Sequence, residues 1–180
     1  MESKPIMESK PNSIEIMLSN GIVIGLITVV ASVVLYTIGE IKTLGWVANI
    51  LWFIAMITFI ILGILKFKKK NEGYLSLGDA LKIGVGAAAI AAVISSIYQV
   101  LFMLVIDPAL YQQLIDDQVL KTMNGNPSMT KEQIKTTRSA IEFMSSPLMI
   151  AAMGILWYCF MGFIISLISG LAMKKTEDSF

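Results

Sequence analysis

Histidine is absent from this 180-residue chain, and Cys159 is its one cysteine. Disulfide frameworks, Cys/His zinc sites and imidazole acid–base chemistry therefore have no residues to use. Charge is also scarce. Asp, Glu, Lys and Arg make up 15% of the chain, and 14 basic against 13 acidic side chains leave a net charge of +1. That balance creates no global field for gathering nucleic acid or an acidic substrate, so electrostatic effects must be local. Glycine-rich phosphate loops, nucleophile elbows and metal-ligand helices are missing as well. The expectation is a protein that is not an enzyme, has no cofactor or metal, and binds no nucleic acid.

What the chain has is hydrocarbon: 56% hydrophobic residues and a mean hydropathy of +0.74. Crossing a hydrocarbon layer of about 30 Å takes about 20 apolar residues in a helix. Four runs qualify, at 17–39, 44–65, 83–106 and 148–173, and none contains Asp, Glu, Lys or Arg. Backbone amides in lipid must be satisfied within their own segment, which makes these runs helices. The expected fold is all-α: one membrane domain over 1–180 with four transmembrane helices. A mixed-charge start precedes the first run, where a cleavable signal would have a basic start and a short apolar core. The first helix is therefore expected to stay as a signal anchor. Met1 to Pro5 (MESKP) recurs as Met7 to Pro11, which leaves Met1 and Met7 both open as translation starts.

Orientation follows from the division of Lys and Arg. Lys4, Lys10, Lys66, Lys68, Lys69, Lys70, Lys82, Lys174 and Lys175 share one side, against Lys42, Lys121, Lys131, Lys135 and Arg138 on the other. The bias places both termini in the cytoplasm, with a basic cytoplasmic loop at 66–82 and an extracytoplasmic loop at 107–147. Glu40 to Thr43 is too short to do anything but turn two antiparallel neighbours. The strip Lys66, Lys68, Lys69 and Lys70 reads as a stop-transfer flank, with contact to anionic lipid as the other reading.

The long loop reads as two short helices. Asp107 caps the first ahead of Pro108, with Tyr111, Leu114, Ile115 and Val119 on one face. Thr130 with Gln133 resembles a capping box that opens the second, which carries Ile134, Ile141 and Met144 at helical spacing. The two apolar faces suit either the membrane surface or each other. Ser76 with Asp79 is a further capping-box pattern, weighed against a charged pair of Asp79 and Lys82 on a substrate path. Ser146 before Pro147 marks the start of the last span.

Without ionisable groups, a proton relay or voltage sensor within the spans is disfavoured. Neutral polar residues remain: Asn20, Thr28, Ser32, Asn49, Thr58, Ser95, Ser96, Gln99, Ser166 and Ser169. Small residues recur every fourth position at Gly84, Ala88, Ala92 and Ser96, at Gly162, Ser166 and Gly170, and more briefly at Gly21 and Gly25. Such stripes let helix backbones approach closely, within one chain or between copies. Cys159, inside an apolar run, reads as a small apolar residue.

Gly78-Asp79-Ala80-Leu81-Lys82, Ile106-Asp107-Pro108, Ser146-Pro147 and the run from Gly162 to Ile168 succeed one another at the same helix spacing as in a known bacterial family. From about Ile14 to Lys175 the chain resembles domain of unknown function 4199, a family of small four-helix membrane proteins. The resemblance implies a bacterial inner-membrane location and transfers no catalytic or ligand residue. The leading functional expectation is a structural or accessory envelope component acting through helix contacts, with a homo-oligomer or another membrane protein as partner besides the lipid bilayer. The alternative is a small transporter or channel subunit for a neutral or amphipathic solute. A third reading has the Lys66–Lys70 strip sensing anionic headgroups.

Overall fold

A computed structural model describes residues 12–175. The helices are α1 (Ser13–Thr37), α2 (Ile41–Lys70), α3 (Leu77–Leu101), α4 (Pro108–Gly125), α5 (Lys131–Met144) and α6 (Pro147–Met173). A π-helical turn, Phe102–Ile106, continues α3. α1, α2, α3 with its π turn, and α6 are each long and apolar enough to cross a membrane. The chain is thus all-helical with four spans, and its only extended pairing among the described residues is one antiparallel bridge between Leu75 and Lys175. The start-site repeat and the first two lysines lie outside the described residues.

Helix ends depart from the apolar runs because hydrogen-bonded turns do not stop where hydrocarbon does. α2 continues through Lys70, so the strip expected in a loop forms the last turns of a helix. Lysine is a good helix former, and positive charge suits a helix C-terminus. The connection that remains is only 71–76, and α3 starts six residues before its apolar run. At the other end of the bundle the first hairpin turns at 38–40, earlier than expected. Gly39 takes a φ of +76°, and the Glu40 N–H donates to the Leu35 carbonyl at 2.9 Å. That wraps up α1 in the left-handed manner glycine allows.

α3 is the centre of the bundle, packing mainly on α6 and α1, while α2 packs chiefly on α1. In lipid there is no water to expel between helices, so close packing must hold them together. The small-residue stripes supply it within the chain. A Cβ placed on Gly162 would lie 2.5 Å from the Ala88 Cβ and 3.0 Å from the Gly84 carbonyl; one on Gly170 would lie 2.8 Å from the Ala80 Cβ; and one on Gly84 would collide with Ser166. On the other side of α3, a Cβ on Gly21 would meet the Ala87 carbonyl at 2.6 Å and one on Gly25 the Ile94 Cβ at 2.9 Å. Near these contacts lies a closed apolar core that includes Ile16, Ile24, Met56, Ile60, Ile64, Phe67 and Ile83. The half of the bundle nearest the termini is therefore filled.

Candidate functional site

The other half is not filled. Antiparallel pairing at the 38–40 turn brings the last third of α1 level with the first third of α2, and the same end receives the close of α3 and the start of α6. Between them lies a part-open cavity of about 320 Å³. Thr28 and Ser32 stand nine and five residues from the end of α1, a depth of about 8 to 14 Å along the helix. Trp52, eleven residues into α2, carries the cavity to about 16 Å, roughly halfway across the hydrocarbon.

Six of the neutral polar residues singled out above converge here: Thr28, Ser32, Asn49, Ser95, Ser96 and Gln99. Asn20, Thr58, Ser166 and Ser169 do not line it. Of the small-residue stripe, Gly84, Ala88 and Ala92 are buried between helices, and only Ser96 reaches the cavity. Trp52, Tyr98, Tyr111, Trp157 and Tyr158 form the aromatic part of the wall, together with Phe102. Among the described residues no Asp, Glu, Lys or Arg lines it.

The polar groups divide into satisfied and unsatisfied ones. The Thr28 hydroxyl donates to the Ile24 carbonyl and the Ser32 hydroxyl to the Thr28 carbonyl, each at 3.0 Å, which leaves their lone pairs. Tyr158 donates to the Ser95 oxygen at 3.0 Å and packs tilted on Trp52 with ring centroids 5.0 Å apart. Asn49, Ser96 and Gln99 make no side-chain hydrogen bond to another described residue. The Trp52 indole N–H is buried and has no acceptor among the described residues. Buried polar groups are normally paired, so the Trp52 N–H asks what completes it, as does the buried Asn20 amide nitrogen outside the cavity, whereas Asn49 and Gln99 are exposed.

α4 roofs the cavity, contributing Tyr111 and Leu114. Asp107 sets its position with both carboxylate oxygens. One accepts the Leu110 N–H at 2.8 Å, as a helix cap, and the other accepts the Tyr36 hydroxyl at 3.1 Å. Lys42 at the start of α2 pairs with Asp117 at 2.8 Å, and this lysine holds the Asp117 carboxyl below the ordinary carboxylate range. Tyr111 donates to the Ser145 carbonyl, and burial raises its phenol above the usual value. The two loop helices pack on each other. Ile115 and Val119 of α4 are buried, and Arg138 of α5 donates to Asp116 at 2.9 Å and to Glu142 at 2.8 Å. Both acids hold the Arg138 guanidinium pKa above its ordinary value.

Other expected roles resolve differently. Ser76 accepts the Asp79 N–H at 3.1 Å, and its hydroxyl donates to the Asp79 carboxylate at 2.6 Å. Thr130 and Gln133 form a full capping box. Ser146 occupies the cap position of α6 but makes no side-chain cap bond. Pro147 follows it, and a proline with φ preset and no N–H to satisfy starts a helix with less help. Within the basic strip, Lys68 donates to the Met173 carbonyl at 2.8 Å, closing the C-terminus of α6. Lys70 stands 3.9 Å from Glu15, and Lys66 and Lys69 are exposed. No group of three His, Cys, Asp or Glu gathers among the described residues.

Reading each span alone picks out six of these polar residues but does not bring them together, because the site's residues sit on four spans and one loop helix. A signal existed: residues equidistant from the hairpin turn are level, which pairs Thr28 with the neighbourhood of Asn49. The role of α4 carried no such mark.

The chain matches the family model described as Protein of unknown function (DUF4199) over residues 19–175, and it belongs to that family. No curated protein and no solved structure matches it.

Proposed function

We propose that the protein is a membrane-embedded binding protein for a small uncharged or amphipathic solute, working as a carrier or transporter subunit without enzymatic chemistry. The carrying observation is the cavity, where neutral donors and acceptors without partners among the described residues collect at membrane depth, in a wall to which no described Asp, Glu, Lys or Arg contributes. An ion would lose its hydration there and find no counter-charge. A neutral molecule with an apolar body and a few hydrogen-bonding groups finds both kinds of partner. The filled half of the bundle favours a site that loads from one end over a continuous pore.

The location that goes with this reading is the bacterial inner membrane, both termini inside and the cavity opening outward. Its support is the excess of Lys and Arg on the terminal side. The accessory reading retains one observation: α5 has no buried residue, and its Phe143 and Met144 are exposed, a face that a second membrane protein would fit.

Native mass spectrometry of protein released from lipid nanodiscs, after equilibration with a membrane extract, tests the proposal. The expected result is a bound small uncharged molecule that disappears in Asn49→Leu or Ser96→Leu. A wild-type protein that carries nothing but phospholipid overturns it.

A further inference from the structure

Resting on the solute-binding reading, we infer that the cavity takes an uncharged compound of one or two rings bearing a hydrogen-bond acceptor on its rim. The size argues first. An apolar cavity of about 150 Å³ already holds benzene, and this one is about 320 Å³, room for a ring pair and a substituent but small for a lipid. The wall argues next. Trp52 and Tyr158 meet at 5.0 Å and 52°, and with Trp157 they give flat π surfaces on which a ring stacks in an offset or edge-on manner.

The polar inventory then separates a substituted ring from a hydrocarbon. The Trp52 N–H is a donor set back from the cavity surface, without an acceptor among the described residues, and Asn49 and Gln99 stand exposed on the wall with amides that no described residue engages. An alkyl chain would leave all three unpaired. It has a more suitable place in the groove between α1 and α2, which is lined by Val23, Ile27, Val30 and Leu51 and has no polar group. A carbonyl or ring oxygen, in contrast, accepts from the indole once that ring turns toward the cavity, and from an amide at the wall.

The test uses the full chain in nanodiscs, titrated calorimetrically with three bicyclic probes against empty nanodiscs as reference. Coumarin is uncharged with an acceptor, naphthalene has no acceptor, and coumarin-3-carboxylate is charged. Coumarin is expected to bind saturably, one per chain, with naphthalene at least tenfold weaker and the carboxylate no better than the empty discs. Trp52→Phe keeps a ring and removes the N–H, so it should weaken coumarin about five- to tenfold and leave naphthalene unchanged. Gln99→Leu, at an exposed position, provides a second loss that folding does not explain. Equal binding of naphthalene and coumarin, or a Trp52→Phe protein that binds coumarin as before, overturns the acceptor-bearing ring. If no ring probe exceeds empty discs while a non-cyclic neutral molecule co-purifies, the ring inference falls and the solute-binding reading stands. If nothing uncharged is held in either experiment, both fall.

Discussion

Gly162→Ala adds one methyl group at a tight seam between α3 and α6. The new Cβ would sit 2.5 Å from the Ala88 Cβ and 3.0 Å from the Gly84 carbonyl, where carbon atoms in contact prefer about 3.5–4.0 Å. Either α3 and α6 separate by about 1 Å or more, losing dispersion contacts along the whole interface, or the methyl is accommodated by strain. Overpacking of this kind costs about 1–3 kcal/mol. Helix propensity pulls the other way by up to about 1 kcal/mol, since alanine is the better helix former. Gly45→Ala isolates that second effect, because a Cβ there meets nothing within 4 Å. Unfolding in mixed micelles should therefore show Gly45→Ala equal to or slightly above wild type and Gly162→Ala lower by about 1–2 kcal/mol. If Gly162→Ala is as stable as Gly45→Ala, the stripes are not what holds α3 to α6, and their place in the bundle's stability is wrong.

Four further outcomes follow from the same geometry. Lys68→Met should remove the cap on the Met173 carbonyl and cost about 0.3–1 kcal/mol, read as faster amide exchange in the last turn of α6. Thr130→Ala should break the capping box of α5 at a cost of about 0.5–2 kcal/mol, read as lost protection at the start of α5 with the four spans unchanged. The pairing of Asp117 with Lys42 depresses the folded-state pKa of that carboxyl. Its contribution is therefore complete above the ordinary aspartate pKa and fades as pH falls through the lowered one. Protection factors across α4, which divide out the intrinsic pH dependence of amide exchange, should fall in that acidic window, and Asp117→Asn should show the lower protection already at neutral pH and a smaller further loss on acidification. Asp107→Asn should keep an acceptor for the Leu110 N–H, whereas Asp107→Ala loses both that cap and the Tyr36 contact, so only the alanine variant should loosen the start of α4 strongly.

The four spans were legible because a run without charge and long enough to cross a bilayer has few other fates. The caps at Ser76, Asp107 and Thr130 were legible for a related reason: each is a local pattern whose partner lies three residues away. Where α2 would end was not, because the lysines that leave the hydrocarbon also favour helix, so hydropathy changes at Leu65 and the backbone does not. Ser146 looked like a cap by type and position, yet Pro147 makes that bond dispensable. The small-residue stripes announced close packing but not their partner. Only the three-dimensional arrangement shows Gly162 on Ala88 and Gly21 on Ala87. The cavity was the least legible, since Thr28, Asn49, Ser96 and Gln99 are each ordinary within their own helix. Their meaning comes from a shared depth, and from the π turn and α4 that complete the wall at that end.

The most direct measurement is a ladder of single cysteines down α3, at positions 99, 96, 95, 92, 88 and 84 in a Cys159→Ala background, each reacted in sealed vesicles with a membrane-impermeant uncharged maleimide applied from the α4–α5 side. A one-ended cavity predicts labelling at Gln99, Ser96 and Ser95 that stops at Ala92 and stays absent at Ala88 and Gly84. Labelling that continues to Gly84 would mean a water path through the whole bundle, and silence at Gln99, Ser96 and Ser95 alike would mean a closed interior that admits no solute.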